Sequence, residues 1–331
     1  MTSRDHAIGA LYGLAIGDAL GMPTQLMSRA GIASRYGAID RFRTADAGHP
    51  LAAGLPAGHI TDDTEQALLL ARLLIEGHGH VDPGVFARGL VAWEESMRQR
   101  GSLDLLGPST KRAVQAVLDG DPLATAGRFG TTNGAAMRVT PVGIMRSWQP
   151  IDILVELVAE TSIVSHNTGV AIAGASAVAT AVSAGIDGAD LGAAFDASIE
   201  AARLGARRGY WVAAADVAAR IRLAIDLADP CDPDTSLTRL YEIVGTSLAT
   251  QESVPAAFGI LATFPDDPWR AVCAAASLGG DSDTVAAMAG AIGGAVFGTT
   301  GFPAEARQTV ITVNSLELEL ENIADGLLAL R

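Results

Sequence analysis

Residues 279–297 read GGDSDTVAAMAGAIGGAVF. Two carboxylates and a hydroxyl, from Asp281, Asp283 and Thr284, stand there between a glycine turn and the apolar run 285–297. That run is too short to cross a bilayer, which takes about 20 apolar residues, so it predicts a helix buried inside a folded protein. Carboxylates crowded into such surroundings repel one another and resist desolvation. A divalent cation would remove that penalty.

The rest of the chain also favours helices. Apolar residues recur with helical spacing, for example at Ala67, Leu68, Ala71 and Leu74, whereas alternating β-branched runs are scarce and aromatic residues make up only 5%. Glycine and proline interrupt the helices without forming a long flexible linker. Segments rich in Gly and Ala indicate helices that pack closely through small side chains. We therefore predict an all-α fold, with one compact domain over residues 1–331.

Composition and charge exclude several classes of protein. With 49% hydrophobic and 18% charged residues, the chain of 331 residues does not have the composition of a disordered protein. Its formal net charge of −14 argues against binding to nucleic acid or to an anionic membrane, because both interactions depend on Lys and Arg. Two cysteines without a metal-binding spacing, and no apparent secretory signal, favour a reducing, cytoplasmic location.

The C-terminal segment carries an apolar stripe formed by Leu316, Leu320, Ile323 and Leu327. A stripe with this helical spacing packs either on the core of its own chain or on a partner. We expect a monomer that has neither nucleic acid nor a membrane as its partner.

A second acidic cluster, TDDTE at residues 61–65, directly precedes an amphipathic helix. One interpretation is helix capping, since Thr and Asp side chains bind the free amides of a first turn and carboxylates complement its dipole. The cluster at 281–284 favours another interpretation, a metal site, because hard cations such as Mg2+ prefer carboxylate and hydroxyl oxygens. Neither cluster has the EF-hand pattern, and His59 is the only nearby candidate for zinc. We predict that the two loops meet in space and share a two-metal centre.

Together with GDALG at residues 17–21, NGAAMR at 133–138 and His166 after Ser165, the two clusters resemble the signature blocks of the ADP-ribosylglycohydrolase family. Their order and approximate spacing match from residue 7 to about residue 303. The resemblance implies a compact orthogonal bundle of helices around a central metal-binding cleft that holds two Mg2+ or Mn2+ ions. It also implies hydrolysis of the glycosidic bond at the anomeric carbon of ribose in an ADP-ribosyl substrate.

The same resemblance assigns roles to individual positions. The implied metal ligands are Thr61, Asp62, Asp63, Asp281, Asp283 and Thr284. The implied catalytic carboxylates, which we expect to be most sensitive to substitution, are Asp62, Asp63 and Asp283. The implied substrate-binding residues are Gln25, Thr132, Asn133, Gly134 and His166. Asp18, on the apolar face of the first helix, would orient a metal ligand.

Some of these residues also have a simpler interpretation. Asn133 and Gly134 form a dipeptide that signals a turn. His166, at a helix start before a small-residue helix, is typical of a capping or packing residue. Asp18 could be a buried carboxylate with satisfied hydrogen bonds. For these positions the sequence leaves both interpretations open.

Two positions depart from the family pattern. Gln25 stands where relatives often carry Glu, and an amide cannot serve as a carboxylate base. Thr132 stands where a Gly often precedes Asn-Gly, and its side chain narrows the room for a phosphate. Both departures leave the substrate open. The alternatives are an ADP-ribosyl group on a protein or other molecule, a small N-riboside such as a nucleoside, and ADP-ribose bound by a module that has lost turnover.

Overall fold

The computed structural model describes residues 2–102 and 106–331. Its helices in chain order are α1 Ser3–Gly21, α2 Arg29–Tyr36, α3 Asp62–Glu76, α4 Pro83–Gln99, α5 Pro108–Leu118, α6 Leu123–Ala126, α7 Gly134–Met137, α8 Thr140–Met145, α9 Ile151–His166, α10 Gly169–Ile186, α11 Leu191–Gly205, α12 Val217–Asp226, α13 Pro233–Arg239, α14 Thr250–Thr263, α15 Pro268–Ala276, α16 Ser282–Phe297, α17 Ala304–Asn314 and α18 Glu319–Leu328. A π-helical segment lies at Leu240–Val244 and a 3-10 segment at Thr299–Gly301. The described residues form isolated β-bridges but no strand. The predicted all-α fold is confirmed.

Helices α1 and α16 pack along each other in the core, and glycines make this close approach possible. A Cβ on Gly13 would lie 1.9 Å from the carbonyl oxygen of Gly290, and a Cβ on Gly290 would lie 2.0 Å from the carbonyl oxygen of Gly13. Further along, a Cβ on Gly21 would lie 2.3 Å from the Cα of Asp283. Close-packed interiors leave no room for a side chain at such distances. The end of α1 is therefore placed directly against the acidic start of α16.

Helix α10 forms a second part of the core and is buried along its whole length of 18 residues. By length and composition alone this helix would suffice to cross a membrane, yet all of it lies inside the fold. It contacts α8, α9, α11 and α16, and most of its side chains are small. Small side chains let several helices approach one helix from different sides, as the Gly- and Ala-rich sequence predicted.

The C-terminal apolar stripe packs on the core. Its members Leu316, Leu320, Ile323 and Leu327 are all buried. Helix α18 lies against α1 and α3, and it is joined to α1 by an ion pair of 2.6 Å between Arg4 and Asp325. The hydroxyl of Tyr12 also donates a hydrogen bond of 2.7 Å to Glu321. The sequence left open whether this stripe packs on the chain's own core or on a partner. In the structure it packs on the chain's own core.

Candidate active site

A buried carboxylate on α1 holds the loop of the first acidic cluster. Asp18 is fully buried and accepts hydrogen bonds from the N–H of Thr61, at 3.0 and 2.9 Å to its two oxygens, and from the hydroxyl of Thr61 at 2.7 Å. It also accepts from the N–H of Thr64 at 3.1 Å and from the Thr64 hydroxyl. Thr61 is the N-cap of α3, but its side chain makes no capping bond. The capping interpretation is therefore wrong for Thr61, because its hydroxyl bonds to Asp18 instead.

The two acidic clusters meet in space. The hydroxyl of Thr284, at the start of α16, donates a hydrogen bond of 3.2 Å to Oδ2 of Asp63, at the start of α3. Asp63 is only 1% exposed, and its other oxygen has no hydrogen-bond partner among the described residues. Both helices begin at this point, so their positive ends face the same acidic side chains.

Burial and mutual repulsion change how the carboxyls of this cluster ionise. The pKa of Asp63 is raised well above its usual range, first by burial and then by the charges of Asp62, Asp283, Asp18 and Asp281. Burial also raises the pKa of Asp18 to about 6, against the hydrogen bonds from Thr64 and Thr61. Burial raises the pKa of Asp281 to about 6 as well, against hydrogen bonds from Asn133 and Thr284. Ionising the cluster at neutral pH therefore costs free energy that a cation would offset.

The chemistry of the donors fits a hard divalent cation. The predicted ligands supply carboxylate and hydroxyl oxygens, and one buried oxygen of Asp63 lacks a hydrogen-bond partner among the described residues. Within the described part of the chain, no three side chains of His, Cys, Asp and Glu are arranged to hold a metal by themselves. A metal centre here depends on the hydroxyls of Thr61 and Thr284 in addition to the carboxylates.

Asn133 fixes the second acidic cluster from a third direction. Its Nδ2 donates hydrogen bonds to Oδ2 of Asp281 at 2.5 Å and to Oγ of Ser253 at 2.9 Å. Asp281 is the N-cap of α16 without a capping bond from its side chain. Both hydrogens of the Asn133 amide are thus used inside the protein. The residue holds Asp281 in place, whereas the sequence predicted only contact with substrate.

A cleft of about 270 Å3 opens beside the acidic clusters. Its polar side is formed by Gln25, Asp62, Thr110, Thr132, Asn133, Asp281, Asp283 and Thr284. Its apolar side is formed by Leu26, Leu51, Leu106, Pro108, Met137 and Leu248, with Gly107 and Gly134 between the two. Four of the six predicted metal ligands and four of the five predicted substrate-binding residues line this cleft. The other two predicted metal ligands, Thr61 and Asp63, are buried and lie behind the cleft.

A larger cleft, of about 600 Å3, lies between α3, α4 and residues 313–319. It contains none of the predicted ligands. Its Glu65 carboxylate accepts a hydrogen bond of 2.5 Å from the indole N–H of Trp93 and forms an ion pair of 3.0 Å with Arg100. These polar groups satisfy one another, so we place the chemistry in the smaller cleft.

Gln25 lines the cleft, whereas His166 lies behind it. Gln25 is 4% exposed, and its Nε2 has no hydrogen-bond partner among the described residues. His166 is the last residue of α9, so the predicted position at a helix start is wrong. Its fully buried ring contacts the hydroxyls of Thr132, at 2.9 Å, and Ser165, at 2.8 Å. In this position His166 supports Thr132 and does not itself line the cleft.

Arg138 and Gln66, to which the sequence analysis assigned no role, support the site. Arg138 is fully buried and donates hydrogen bonds to Oε1 of Gln66, at 3.0 Å, and to Oγ of Ser165. Gln66 in turn donates a bond of 2.9 Å to Oδ2 of Asp62. Burial lowers the pKa of Arg138 to about 10, against the charge of Asp62. The spacing of four residues between Asp62 and Gln66, one helical turn, was the signal for this contact in the sequence.

Comparisons with known proteins identify a family and relatives that match most of the chain. The model of the ADP-ribosylglycohydrolase family matches residues 1–331. The chain is 36% identical to the uncharacterized protein YegU of Escherichia coli K12, over 95% of this chain and 94% of that protein. It is 30% identical to the ADP-ribosylarginine hydrolase Tri1 of Pseudomonas putida GB-1, over 91% of this chain and 73% of Tri1. A solved ADP-ribosylglycohydrolase-related protein complex has a similar fold, with a TM-score of 0.74, 24% identity and coverage of 99% and 98% of the two chains.

Proposed function

Because the chain belongs to the ADP-ribosylglycohydrolase family and is a hydrolase of glycosyl bonds, we propose that it releases ADP-ribose from an ADP-ribosylated substrate with the help of two divalent cations. The observation that carries this proposal is the hydrogen bond between Thr284, which lines the cleft, and Asp63, which lies behind it. We propose Thr61, Asp62, Asp63, Asp281, Asp283 and Thr284 as the ligands of Mg2+ or Mn2+.

The reaction consumes one water: its hydroxyl group bonds to the anomeric carbon of the ribose, the bond to the leaving group breaks, and the water's other hydrogen ends on the leaving group as a proton. Bound cations would hold ribose hydroxyls and lower the pKa of that water. Asp62 is the carboxylate that we propose as acceptor of the water's proton, since it lines the cleft and is only partly buried. The bond from Gln66 orients its carboxylate. Asp63 lies behind the cleft and suits a ligand better than a base.

A second candidate function is hydrolysis of small N-ribosides such as nucleosides. The described lining of the cleft contains neither Lys nor Arg, and half of it is apolar. An uncharged ribosyl substrate would need no cationic side chain. Gln25, which stands where relatives often carry Glu, is a further reason to keep this candidate.

Product analysis separates the candidates. Purified protein with Mg2+ or Mn2+ would be incubated with an ADP-ribosylated arginine peptide, an ADP-ribosylated serine peptide and a panel of nucleosides, and the products would be separated by chromatography. Release of ADP-ribose supports the main proposal, and release of base and ribose supports the second. Tight binding of ADP-ribose without any product contradicts both and indicates a binding module. Asp62→Asn is the matched inactive control.

A further inference from the structure

The backbone of Gln25 is fixed beside the cleft from several sides. Its N–H donates a hydrogen bond of 3.1 Å to the carbonyl of Gly21, and its carbonyl accepts one of 2.9 Å from Nε2 of the buried His49. The next residue, Leu26, donates its N–H to the carbonyl of Gly280 at 2.6 Å. These bonds set the position of the Gln25 side chain before any ligand arrives.

This position adjoins the second acidic cluster. Gly21, to which Gln25 is bonded, is so close to α16 that a Cβ on it would lie 2.3 Å from the Cα of Asp283. Gly280, to which the following residue is bonded, directly precedes Asp281. In the proposed reaction the glycosidic bond breaks next to these carboxylates. Gln25 is therefore placed to meet the group that leaves.

Leu26, the neighbour of Gln25, has an unusual backbone conformation. Its φ of 60° lies in the left-handed region, which a leucine rarely adopts. The loop around Gly280 holds it there, because the Gly280 carbonyl accepts from Leu26 and the Gly280 N–H donates to the carbonyl of Met27 at 2.9 Å. The Leu26 side chain is 53% exposed and lines the cleft. The strained backbone thus presents an apolar surface next to Gln25.

The side-chain amide of Gln25 has hydrogens without an acceptor. Gln25 lines the cleft and is only 4% exposed, and its buried Nε2 has no hydrogen-bond partner among the described residues. Buried polar groups are nearly always paired, because an unmade hydrogen bond leaves the cost of desolvation uncompensated. The other carboxamide of the cleft, that of Asn133, uses both hydrogens inside the protein. The Gln25 amide is therefore directed to a ligand.

We propose that Gln25 is a specificity-determining residue that selects an uncharged leaving group with a hydrogen-bond acceptor over the guanidinium of an arginine. The inference rests on the proposed function, since it concerns the leaving group of that reaction. A guanidinium has only donors, so it cannot accept from Nε2, and the amide has no charge to pair with it. The oxygens of a serine residue or of a nucleobase can accept. The apolar Leu26 also favours an uncharged neighbour.

Rates on two peptides that carry the same ADP-ribosyl group, one on serine and one on arginine, test this selection. With Mg2+ present, we expect the parent to have a kcat/KM about 10-fold or more higher for the serine peptide. Gln25→Glu replaces the amide hydrogens by a charged acceptor of the same shape, so it should shift the ratio toward arginine by about 10-fold or more. Gln25→Met should lower kcat/KM mainly for the serine peptide, by about 10-fold.

Two controls separate this role from an effect on the metals or on charge. Gln308→Glu adds the same charge at an exposed position of α17 and should leave the ratio of the two kcat/KM values unchanged. Calorimetric titration with Mg2+ in the absence of substrate should give the same affinity for Gln25→Met as for the parent. A loss of Mg2+ affinity in Gln25→Met that matches its loss of rate would make Gln25 part of the metal site and overturn the inference.

NMR observes the Gln25 amide directly. In Asp62→Asn protein labelled with 15N in the glutamine side chains, the additional Gln25→Met change identifies the signals of Gln25. We expect these signals to shift when the serine peptide is added and to shift much less with ADP-ribose, which lacks the leaving group. Equal shifts with both ligands would place the amide at the ADP-ribose and overturn the inference.

The kinetic outcomes separate this inference from the proposed function. If the parent cleaves the arginine peptide as well as or better than the serine peptide, Gln25 does not select an uncharged leaving group. Product from both peptides with the same ratio in the parent and in Gln25→Glu would likewise overturn the inference and leave the proposed function intact. If neither peptide releases ADP-ribose, the proposed function itself fails, and the inference fails with it.

Discussion

The hydroxyl of Thr284 lies 3.2 Å from Oδ2 of Asp63, and this single contact joins residues that are 221 positions apart in the chain. It joins the first turn of α3 to the first turn of α16. Asp63 is the centre of the repulsion, because four other carboxylates raise its pKa in addition to burial. The site is therefore held together by hydroxyls and backbone packing against the electrostatic repulsion of its own acids.

We expect Asp63→Asn to raise the stability of the metal-free protein and to lower its activity. The amide removes a buried charge, so the metal-free variant should unfold at higher temperature at pH 8, with a gain of about 1 kcal/mol or more. Glycohydrolase activity should fall by about 100-fold or more, because a proposed ligand is lost. Thermal unfolding and product release measure the two effects. Asp196→Asn, at an exposed position of α11, is the matched control. If both changes had the same effect on stability and activity, Asp63 would not be a buried metal ligand.

Addition of Mg2+ should stabilise the protein more at pH 8 than at pH 5. The pKa of Asp18 and that of Asp281 are raised from 3.8 to about 6, so the folded state retains protons that the unfolded chain loses. Stability of the metal-free protein therefore falls as pH rises through that window. Metal binding requires the ionised carboxylates and reverses this loss. At a concentration of 100 Kd the gain is about 2.7 kcal/mol, and EDTA should abolish it. A melting temperature that is independent of Mg2+ at pH 8 would argue against the metal centre.

Acid should destabilise the native protein more than the His166→Gln variant. The pKa of His166 is lowered well below 6.5 by burial, so below that pH the unfolded chain binds a proton that the folded state excludes. Stability then falls as pH drops, by about 1.4 kcal/mol for each pH unit below 6.5 until the folded ring itself is protonated. Urea denaturation at pH 7.5 and pH 5.5 measures the difference. Equal pH dependence of both proteins would show that His166 does not remain neutral.

Alanine at the crossing of α1 and α16 should be strongly destabilising. In Gly13→Ala the new methyl would meet the carbonyl oxygen of Gly290 at 1.9 Å, so the two helices would have to separate. We expect a loss of about 3 kcal/mol or more, or failure to fold. Gly192→Ala in α11 is the control. The new methyl would meet only Oδ1 of Asp190, at an ordinary contact distance of 3.5 Å. That change should be neutral or stabilise the protein by up to about 1 kcal/mol. A tolerated Gly13→Ala would show that the helices do not need this backbone contact.

Local sequence patterns were sufficient to predict much of the fold. The apolar run 285–297 predicted a buried helix, and the structure has it within α16. Small residues predicted close helix packing, and the contact of Gly13 with Gly290 shows it. The acidic clusters were found because carboxylates beside apolar runs are unusual. These features depend on neighbouring residues, so a single sequence contains them.

Other features depend on residues that are distant in the chain. The sequence could not show that the Thr61 hydroxyl bonds to Asp18, because capping would use the same hydroxyl locally. It could not show that Asn133 holds Asp281 instead of only facing a ligand. His166 is the last residue of α9, and its ring packs against the loop that contains Gly134. Such contacts become visible only with the tertiary structure.

The crossing of α1 and α16 also has a consequence for protein synthesis. A ribosome makes the segments that contain Asp18 and Asp63 roughly 10 to 50 seconds before it reaches Thr284, at usual elongation rates. During that interval the nascent chain has only half of the cluster, and α1 lacks the helix that it packs against. Asp63 then lacks its hydrogen bond from Thr284. If the proposed cations bind, their loading follows translation of α16, and a nascent chain arrested earlier should not retain divalent ions.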